Sequence, residues 1–301
     1  MSPTLYGRFH DWMHRTPRAF TGSVLANLLG WQLLRVAFYN AFRGWGGMRI
    51  GPAVKQYADD LARDGVVLIP NFLPDQVFQD IRTEYDSARV GVPFKPLARP
   101  YVMPQDKRTK VEVAHFFPER GSRLYELLDT NIMKSDTLRA LGSSIVHEPI
   151  ETYREPQVFI NRLAHPDAPD LNSDIFYHAD VSYPGVKAFL YLSDTDVANG
   201  AFTYAKGTHR LTWKRLKWEY RKSIEHARAR ARVRNSRIEG DATGRSWLNM
   251  TRDEEVREGV VGTPMVGQAN SLVVFNVMGF HRRGDFSSDR LREFVLAYYR
   301  S

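Results

Sequence analysis

The chain has 301 residues and a formal net charge of +8, and its length suits one large domain or one domain with an extension. Its hydrophobic and charged fractions, 43% and 25%, are ordinary for a soluble globular protein. The absence of cysteine excludes disulfides, Cys-ligated metal sites and Cys nucleophiles, and it fits a reducing cytoplasm, where we expect the protein to act.

The positive charge is concentrated in two segments. Residues 206–237 contain twelve Lys or Arg against two Glu, and residues 1–50 contain six Arg against one Asp. The rest of the chain is therefore net negative. Basic segments of this kind indicate an anionic partner, for which the alternatives are a membrane surface, a phosphorylated substrate and nucleic acid.

The first of these segments contains an apolar stretch, residues 19–42, which Asn27, Gln32, Arg35 and Asn40 interrupt. A membrane-spanning helix needs about 20 predominantly apolar residues with few charges, so this stretch is a poor span. It is also a poor signal peptide, because no small-residue cleavage site follows it. Two alternatives remain, a helix packed on the domain and a helix lying on a membrane surface.

Glycines between residues 44 and 51 mark a boundary, so we predict an N-terminal helical extension over 1–50 and a second domain over 51–301. That domain should begin with a helix, a buried strand, a second helix and a long loop, at 53–63, Val66–Ile69, Pro74–Ala88 and 91–110.

From residue 156 onward the pattern changes to short strands that are rich in β-branched and aromatic residues. The predicted strands are Gln157–Leu163, Lys187–Ser193, Ala201–Ala205, Ser271–Phe275 and Glu293–Tyr299. Asn199–Gly200 predicts a hairpin turn between two of them. An insertion at about 211–237 has apolar residues every three or four positions, which predicts a helix with a basic outer face. The order of elements indicates an α+β chain whose strands form a sandwich or barrel.

His178 and Asp180 form a candidate pair of metal ligands. On a strand, residues two apart lie on one face about 7 Å apart, so both side chains can reach one ion. Two His and one carboxylate leave three positions of an octahedron open, which is the arrangement of non-heme Fe(II) oxygenases. The alternative is a hydrogen-bonded surface pair. A second His-x-Asp pattern, at His165 and Asp167, contains a proline and is predicted to lie in a loop.

A longer pattern surrounds the first pair. An apolar strand, an Asn-Gly turn, another strand and a Gly-Thr-His turn follow it in the run YHADVSYPGVKAFLYLSDTDVANGAFTYAKGTHR. Near the C-terminus, the run GQANSLVVFNVMGFHRRGDFSSDRLREF contains His281, with Ser288 seven and Arg292 eleven residues further on. Over about residues 51–301 the chain closely resembles the phytanoyl-CoA dioxygenase-like family of Fe(II)- and 2-oxoglutarate-dependent oxygenases.

The resemblance implies a double-stranded β-helix, or jelly roll, with N-terminal helices and the basic helical insertion. It implies that iron is held by His178, Asp180 and His281. Arg292 would bind the distal carboxylate of 2-oxoglutarate, since a planar and permanently charged fork suits a carboxylate, and Arg290 on the same strand face is the alternative. Gln157 and Asn161 would help to hold the oxo acid, or else they are ordinary polar groups lining the barrel.

The resemblance also implies an activity that uses Fe(II), 2-oxoglutarate and O2. The reaction releases succinate and CO2, and it usually hydroxylates an aliphatic carbon. Here the substrate would be a small molecule or lipid-like. It would carry negative charge if the basic segments bind it. The sequence departs from the family at residues 282–286, so the substrate is not inferred from relatives. The carboxylate of Asp180 disfavours halogenation, because related halogenases carry a small residue there.

Two other classes of function compete with this interpretation. A family member that has lost catalysis would act as a binding protein at an anionic surface, although retention of all three ligands and Arg292 argues against it. A nucleic-acid-binding protein would explain the basic insertion, but no nucleic-acid motif or stacking pattern of aromatic residues supports it, so we expect no nucleic acid.

We predict that the basic segments serve peripheral contact with the cytoplasmic face of an anionic membrane, or else binding of an anionic substrate. Trp31, Leu34, Phe38 and Phe42 recur at helical spacing, and each Lys or Arg near an anionic surface contributes about 1 kcal/mol. The protein should float with anionic liposomes at low salt and less so at high salt, and deletion of residues 1–45 should weaken flotation. A wild-type protein that stays in the soluble fraction would contradict the prediction.

Overall fold

The computed structural model describes residues 23–42, 51–97, 108–147, 149–152, 155–170, 172–235 and 249–300. Their α-helices are α1 (Val24–Leu28), α2 (Trp31–Phe42), α3 (Pro52–Asp64), α4 (Asp75–Ala88), α5 (Arg123–Leu128), α6 (Asp136–Val146), α7 (Trp213–Asn235) and α8 (Arg252–Arg257). Their strands are β1 (Val66–Ile69), β2 (Lys95–Pro96), β3 (Val111–Phe116), β4 (Glu151–Thr152), β5 (Gln157–Leu163), β6 (Val186–Tyr191), β7 (Thr203–Tyr204), β8 (Thr263–Pro264), β9 (Leu272–Asn276), β10 (His281–Arg282) and β11 (Arg292–Arg300).

The strands form two antiparallel sheets. The large sheet has the order β1-β9-β6-β11-β5-β3-β2, with β4 also paired to β11, and the small sheet has the order β10-β7-β8. Each pairing in both sheets is antiparallel. The fold is therefore rich in antiparallel sheet, with the helices mostly before and between the strands.

Alternation along the central strands divides the core into two layers. On β6, Ala188 and Leu190 belong to the cluster that packs under the helices, whereas Phe189 and Tyr191 face the small sheet. Phe202, which immediately precedes β7, lies with its ring centroid 5.1 Å from that of Phe189. Because successive side chains of a strand point to opposite faces, the large sheet carries helices on one side and the small sheet on the other.

Local chemistry fixes several helix ends. Ser122 and Ser135 cap α5 and α6 by accepting hydrogen bonds from backbone amides of the first turn. Gly65 ends α3 with a φ of 80°, and a Cβ there would lie 2.4 Å from His209 Nδ1. Glycine is therefore required where the chain turns from α3 into β1.

Most of the predicted elements are confirmed with shifts of one or two residues, and β5 has the predicted bounds. The predicted hairpin at Asn199–Gly200 is wrong, because β6 and β7 pair in different sheets. The Asn199 side chain instead binds the carbonyls of Asp194 and Leu291, so the turn carries the chain from one sheet to the other. The predicted loop 91–110 contains β2, and its residues 98–107 lie outside the described residues.

Helices α1 and α2 pack on α7. This is one of the two alternatives predicted for the N-terminal segment, a helix packed on the domain. Asn27 Nδ2 donates a hydrogen bond to the Ser223 carbonyl at 2.9 Å, and Gln32 Nε2 donates to Glu219 Oε2 at 3.1 Å. Both amide side chains are buried. Two of the polar residues that interrupt the apolar stretch thus attach it to the domain.

The outer side of these helices differs from the apolar face that was predicted. Leu34 is 62% exposed, but Trp31 and Phe38 are half-buried, and the side chain of Phe42 is outside the described part. Leu25 and Leu29 on the first helix and its C-terminal turn are exposed instead. Within the described residues, no helix is both long and apolar enough to cross a bilayer. Membrane contact remains a prediction.

Part of the basic charge of α7 is paired with carboxylates. Lys222 Nζ lies 2.6 Å from Glu254 Oε2, and the exposed Arg221 pairs with Glu258, so α8 and the residue that follows it supply carboxylates along one side of α7. The expected basic outer face is therefore only part of the helix. The exposed Lys217 and Arg228 belong to it.

Tyr85 joins the helix layer to the large sheet. Its hydroxyl donates to Glu293 Oε1 at 2.6 Å, and Arg89 Nη1 donates to the same oxygen at 2.9 Å. Because a hydrogen bond to a charged group contributes about 1.5–3 kcal/mol, Tyr85→Phe should lower the free energy of unfolding in urea by about that amount. Tyr57→Phe is the control, since the half-buried Tyr57 makes no hydrogen bond among the described residues. Equal effects of the two substitutions would contradict the assignment.

Candidate metal centre and its pocket

Three side chains with metal-binding atoms meet at one point. One ligand atom from each of His178, Asp180 and His281 lies within 4.8 Å of the other two. The rings of the two histidines are 4.5 Å apart between centroids, and His281 Nε2 lies 3.7 Å from Asp180 Oδ2. The structure thus brings together the three ligands that the resemblance implies.

Backbone pairing brings the distant histidine to the His-x-Asp pair. His178 and His281 exchange two hydrogen bonds, N to O, of 2.9 Å each, and the amide of Asp180 donates to the Val277 carbonyl at 3.0 Å. In an antiparallel bridge the two opposed side chains point to the same face. The segment around residue 178 is an isolated bridge and not a full strand, but its extended backbone has the predicted effect.

Each histidine is held in one tautomer. Nδ1 of His178 lies 3.0 Å from the Phe176 carbonyl, and Nδ1 of His281 lies 2.9 Å from the Gly279 carbonyl. A carbonyl can only accept, so each Nδ1 carries the proton and each Nε2 keeps a free lone pair. Ligating histidines in metalloproteins are oriented in this way by a second hydrogen bond.

The ionisation states also suit a metal ion. Burial, together with the nearby His178, lowers the pKa of His281 to about 3, so this imidazole is neutral at physiological pH. Burial alone would raise the pKa of Asp180, but the charge of Lys187 and the two imidazoles hold it below its ordinary value. A neutral imidazole at His281 and a carboxylate at Asp180 are deprotonated donors of the kind that a divalent ion requires.

The centre lies in a cavity between the two sheets. The cavity encloses about 190 Å³, roughly ten times the space that one water needs, so it has room for a ligand beside an ion. Seven of the residues that line it are aromatic, six of them on strands of the large sheet, and they are Phe159, Phe189, Tyr191, Phe202, Phe275, Phe294 and Tyr298.

Arg292 projects into this cavity from β11 and has no anionic partner among the described residues. Its side chain is buried, its Nη1 donates to the Gly200 carbonyl, and its Nε has no hydrogen-bond partner there. Burial and the nearby Arg283 lower its pKa to about 9, which leaves it charged at physiological pH. A buried cation without a counter-ion is costly, so the position is suited to an anion.

The remaining predicted site residues are placed differently. Asn161 lies opposite Arg292 in the pairing of β5 with β11, and it lines the cavity. Gln157 lies on the same face of β5 but beside His115, and it does not line the cavity. Arg290, the alternative to Arg292, is half-exposed and pairs with Asp196.

Lys187 belongs to the site but was not predicted from the sequence. Its Nζ lies 2.7 Å from Asp180 Oδ2, and its side chain lines the cavity. Strand alternation was the available signal, because Lys187 shares a face of β6 with Phe189 and Tyr191.

The chemistry of the donor set determines which metal ions the site can hold. Two imidazole Nε2 atoms with free lone pairs and one carboxylate lie on one side of an open space. Imidazole and carboxylate ligands with open positions fit Fe(II) and other divalent first-row ions. The residues present therefore fit the ion.

Comparison with known proteins identifies the fold. No family model and no curated protein matches the chain. Among solved structures, the epimerase SnoN, in a complex with Fe3+, alpha ketoglutarate and nogalamycin RO, has a TM-score of 0.52 at 14% identity, over 82% of this chain and 83% of that chain. EvdMO1 has a TM-score of 0.50 at 14% identity, over 82% of this chain and 50% of the EvdMO1 chain. AviO1 from Streptomyces viridochromogenes has a TM-score of 0.49 at 14% identity, over 85% of this chain and 97% of the AviO1 chain. SnoN and EvdMO1 show that the chain has the fold of these proteins.

The metal site predicts the effect of removing a ligand. His178→Ala or Asp180→Ala should abolish binding of one Fe(II) per chain in anaerobic titration calorimetry, because two ligands hold a divalent ion weakly. His165→Ala is the matched control, since it alters the other His-x-Asp pattern, which lies in a loop outside the cavity. Normal Fe(II) binding by either ligand variant would refute the site.

Proposed function

We propose that the protein is an Fe(II)- and 2-oxoglutarate-dependent oxygenase of the phytanoyl-CoA dioxygenase-like family, which hydroxylates an aliphatic carbon of a small-molecule or lipid-like substrate. One observation carries the proposal. A two-His, one-carboxylate cluster and a buried arginine without a counter-ion share one cavity. The cluster suits Fe(II), and the arginine suits the distal carboxylate of a dicarboxylic oxo acid.

The strand order supports a jelly roll, the double-stranded β-helix of this family. In the large sheet, β9, β6, β11 and β5 are neighbours in that order, and in the small sheet β8, β7 and β10 are neighbours. The bridge at His178 extends the small sheet by one more segment on the β10 side. Eight segments in two facing sheets, with connections that pass between the sheets, match that architecture.

The residues of the candidate site would have different roles in this function. His178, Asp180 and His281 would hold Fe(II), and Arg292 would bind the distal carboxylate of 2-oxoglutarate, with Asn161 beside it. When bound, Fe(II) and 2-oxoglutarate would supply with O2 the oxidising chemistry that yields succinate and CO2. The aromatic side chains that line the cavity would limit the access of water to the reacting groups, and the shape of the cavity would determine which substrate carbon lies near the ion.

The type of oxidation depends on where the reacting carbon of the substrate lies. SnoN is an epimerase, so the shared fold supports outcomes other than hydroxylation. A second candidate function, a binding protein without catalysis, is disfavoured by the complete ligand set and by Arg292. The test is a screen by mass spectrometry for gain of one oxygen atom, with Fe(II), 2-oxoglutarate and O2 supplied. Absence of succinate formation with every substrate would contradict the proposal.

Arg292→Ala should raise the KM for 2-oxoglutarate while Fe(II) still binds. Loss of a charge-assisted bidentate contact costs about 2–3 kcal/mol, which is roughly 30- to 150-fold. Succinate production at varied 2-oxoglutarate measures the effect, or calorimetric binding of 2-oxoglutarate to the Fe(II)-loaded protein where no substrate is known. Arg290→Ala, on the half-exposed neighbour that pairs with Asp196, is the control. The choice of Arg292 is wrong if only the control variant shows the effect.

A further inference from the structure

Lys187 lies at the metal centre, and the proposed chemistry gives it no task. Its Nζ is 2.7 Å from Asp180 Oδ2, and its side chain is 18% exposed. The same Nζ lies 4.8 Å from the centre of the Tyr298 ring, which limits its movement away from the carboxylate. The ammonium group is therefore held beside the carboxylate of Asp180. If a divalent ion binds, one of the two oxygens of that carboxylate would be its ligand.

This position sets two cations in competition for one carboxylate. Without a metal ion, Lys187 and Asp180 form a pair that neutralises itself. With a divalent ion, the ammonium and the ion repel each other at short range, and water screens partly buried charges less than it screens charges on the surface. Lys187 should consequently lower the affinity of the site for a metal ion alone.

An anionic ligand reverses the sign of this effect. The cavity already contains the unpaired Arg292, and Arg283, which also lines it, pairs with Asp170. Asp174 and Arg282 line the cavity as well, and their charges offset each other. Lys187, Arg292 and a divalent ion together outweigh Asp180 by three positive charges. 2-Oxoglutarate brings two negative charges into this excess. When the ion takes Asp180 as a ligand, Lys187 loses its counter-ion, and the anion can replace it. Each of the two ligands therefore favours the binding of the other.

We propose that Lys187 couples the binding of the metal ion to the binding of the dianionic oxo acid. It weakens binding of the ion by itself and strengthens binding of the two together. By thermodynamic reciprocity, the ion must raise the affinity for the oxo acid by the same factor. The inference rests on the proposed function, because it takes 2-oxoglutarate as the anion.

A purely structural role predicts a different outcome. If Lys187 served only to orient Asp180 through a hydrogen bond, its loss would weaken metal binding by about 10- to 100-fold, as other outer-sphere contacts do. Charge and hydrogen bonding are separated by two variants. Lys187→Met removes both, whereas Lys187→Gln retains a donor near Asp180 but carries no charge.

The experiment is calorimetric titration of Mn(II), a redox-stable probe for Fe(II), into the full chain under anaerobic conditions, with and without 2-oxoglutarate. In the wild-type protein, 2-oxoglutarate should tighten Mn(II) binding strongly. In Lys187→Met and Lys187→Gln, Mn(II) alone should bind about ten-fold more tightly, and the enhancement by 2-oxoglutarate should fall by about the same factor, within the range typical of coupled sites. Lys187→Arg, which keeps the charge, should behave as the wild type.

Lys222→Met is the matched control, because Lys222 is similarly buried and pairs with Glu254 at 2.6 Å, and neither residue lines the cavity. It should leave both Mn(II) affinities unchanged. Weaker Mn(II) binding in Lys187→Met with wild-type behaviour in Lys187→Gln would overturn the inference in favour of the orienting role. Unchanged Mn(II) binding in both would also overturn it. Failure of the wild-type protein to bind Mn(II) or 2-oxoglutarate would instead contradict the proposed function itself.

Discussion

The structure depends on the alternation of side chains across the two central strands of the large sheet. On β11, Arg292 faces the cavity and the next residue, Glu293, faces the helices, where Tyr85 and Arg89 bind it. A slip of one residue would exchange these environments and bury Arg292 against the helix layer. The contacts under the helices therefore fix the register that places the charged groups of the cavity.

The charges of the protein are arranged differently inside the cavity and on the surface. On the surface, the most basic helix is partly neutralised by the carboxylates of α8. Inside the cavity, Arg292 is buried without an anion, and Lys187 shares Asp180 with the candidate metal ion. The need for an anionic partner, first indicated by the net charge, is thus greatest at the candidate active site, where buried charges are screened less than those on the surface.

Some features of the fold and the site could be predicted from local sequence. Strand β5 and helix α4 have periodic apolar residues over several turns or pleats, so their existence did not depend on distant partners. The spacing of His178 and Asp180 is also a local signal, because side chains two residues apart on an extended chain point to the same face. His281 and Arg292 have no such local signal, and only the resemblance to a family connected them to the pair.

The sequence by itself determined the element types, the His-x-Asp pair and the absence of cysteine chemistry, because these follow from composition and short-range geometry. The tertiary structure alone decided that Asn199–Gly200 carries the chain between two sheets, that Lys187 contacts Asp180 and that α7 pairs with α8. Each of these depends on groups far apart in the chain, whose approach is set by packing of the whole core. A strand pattern shows which way a side chain points, but only the assembled sheets show what it meets there.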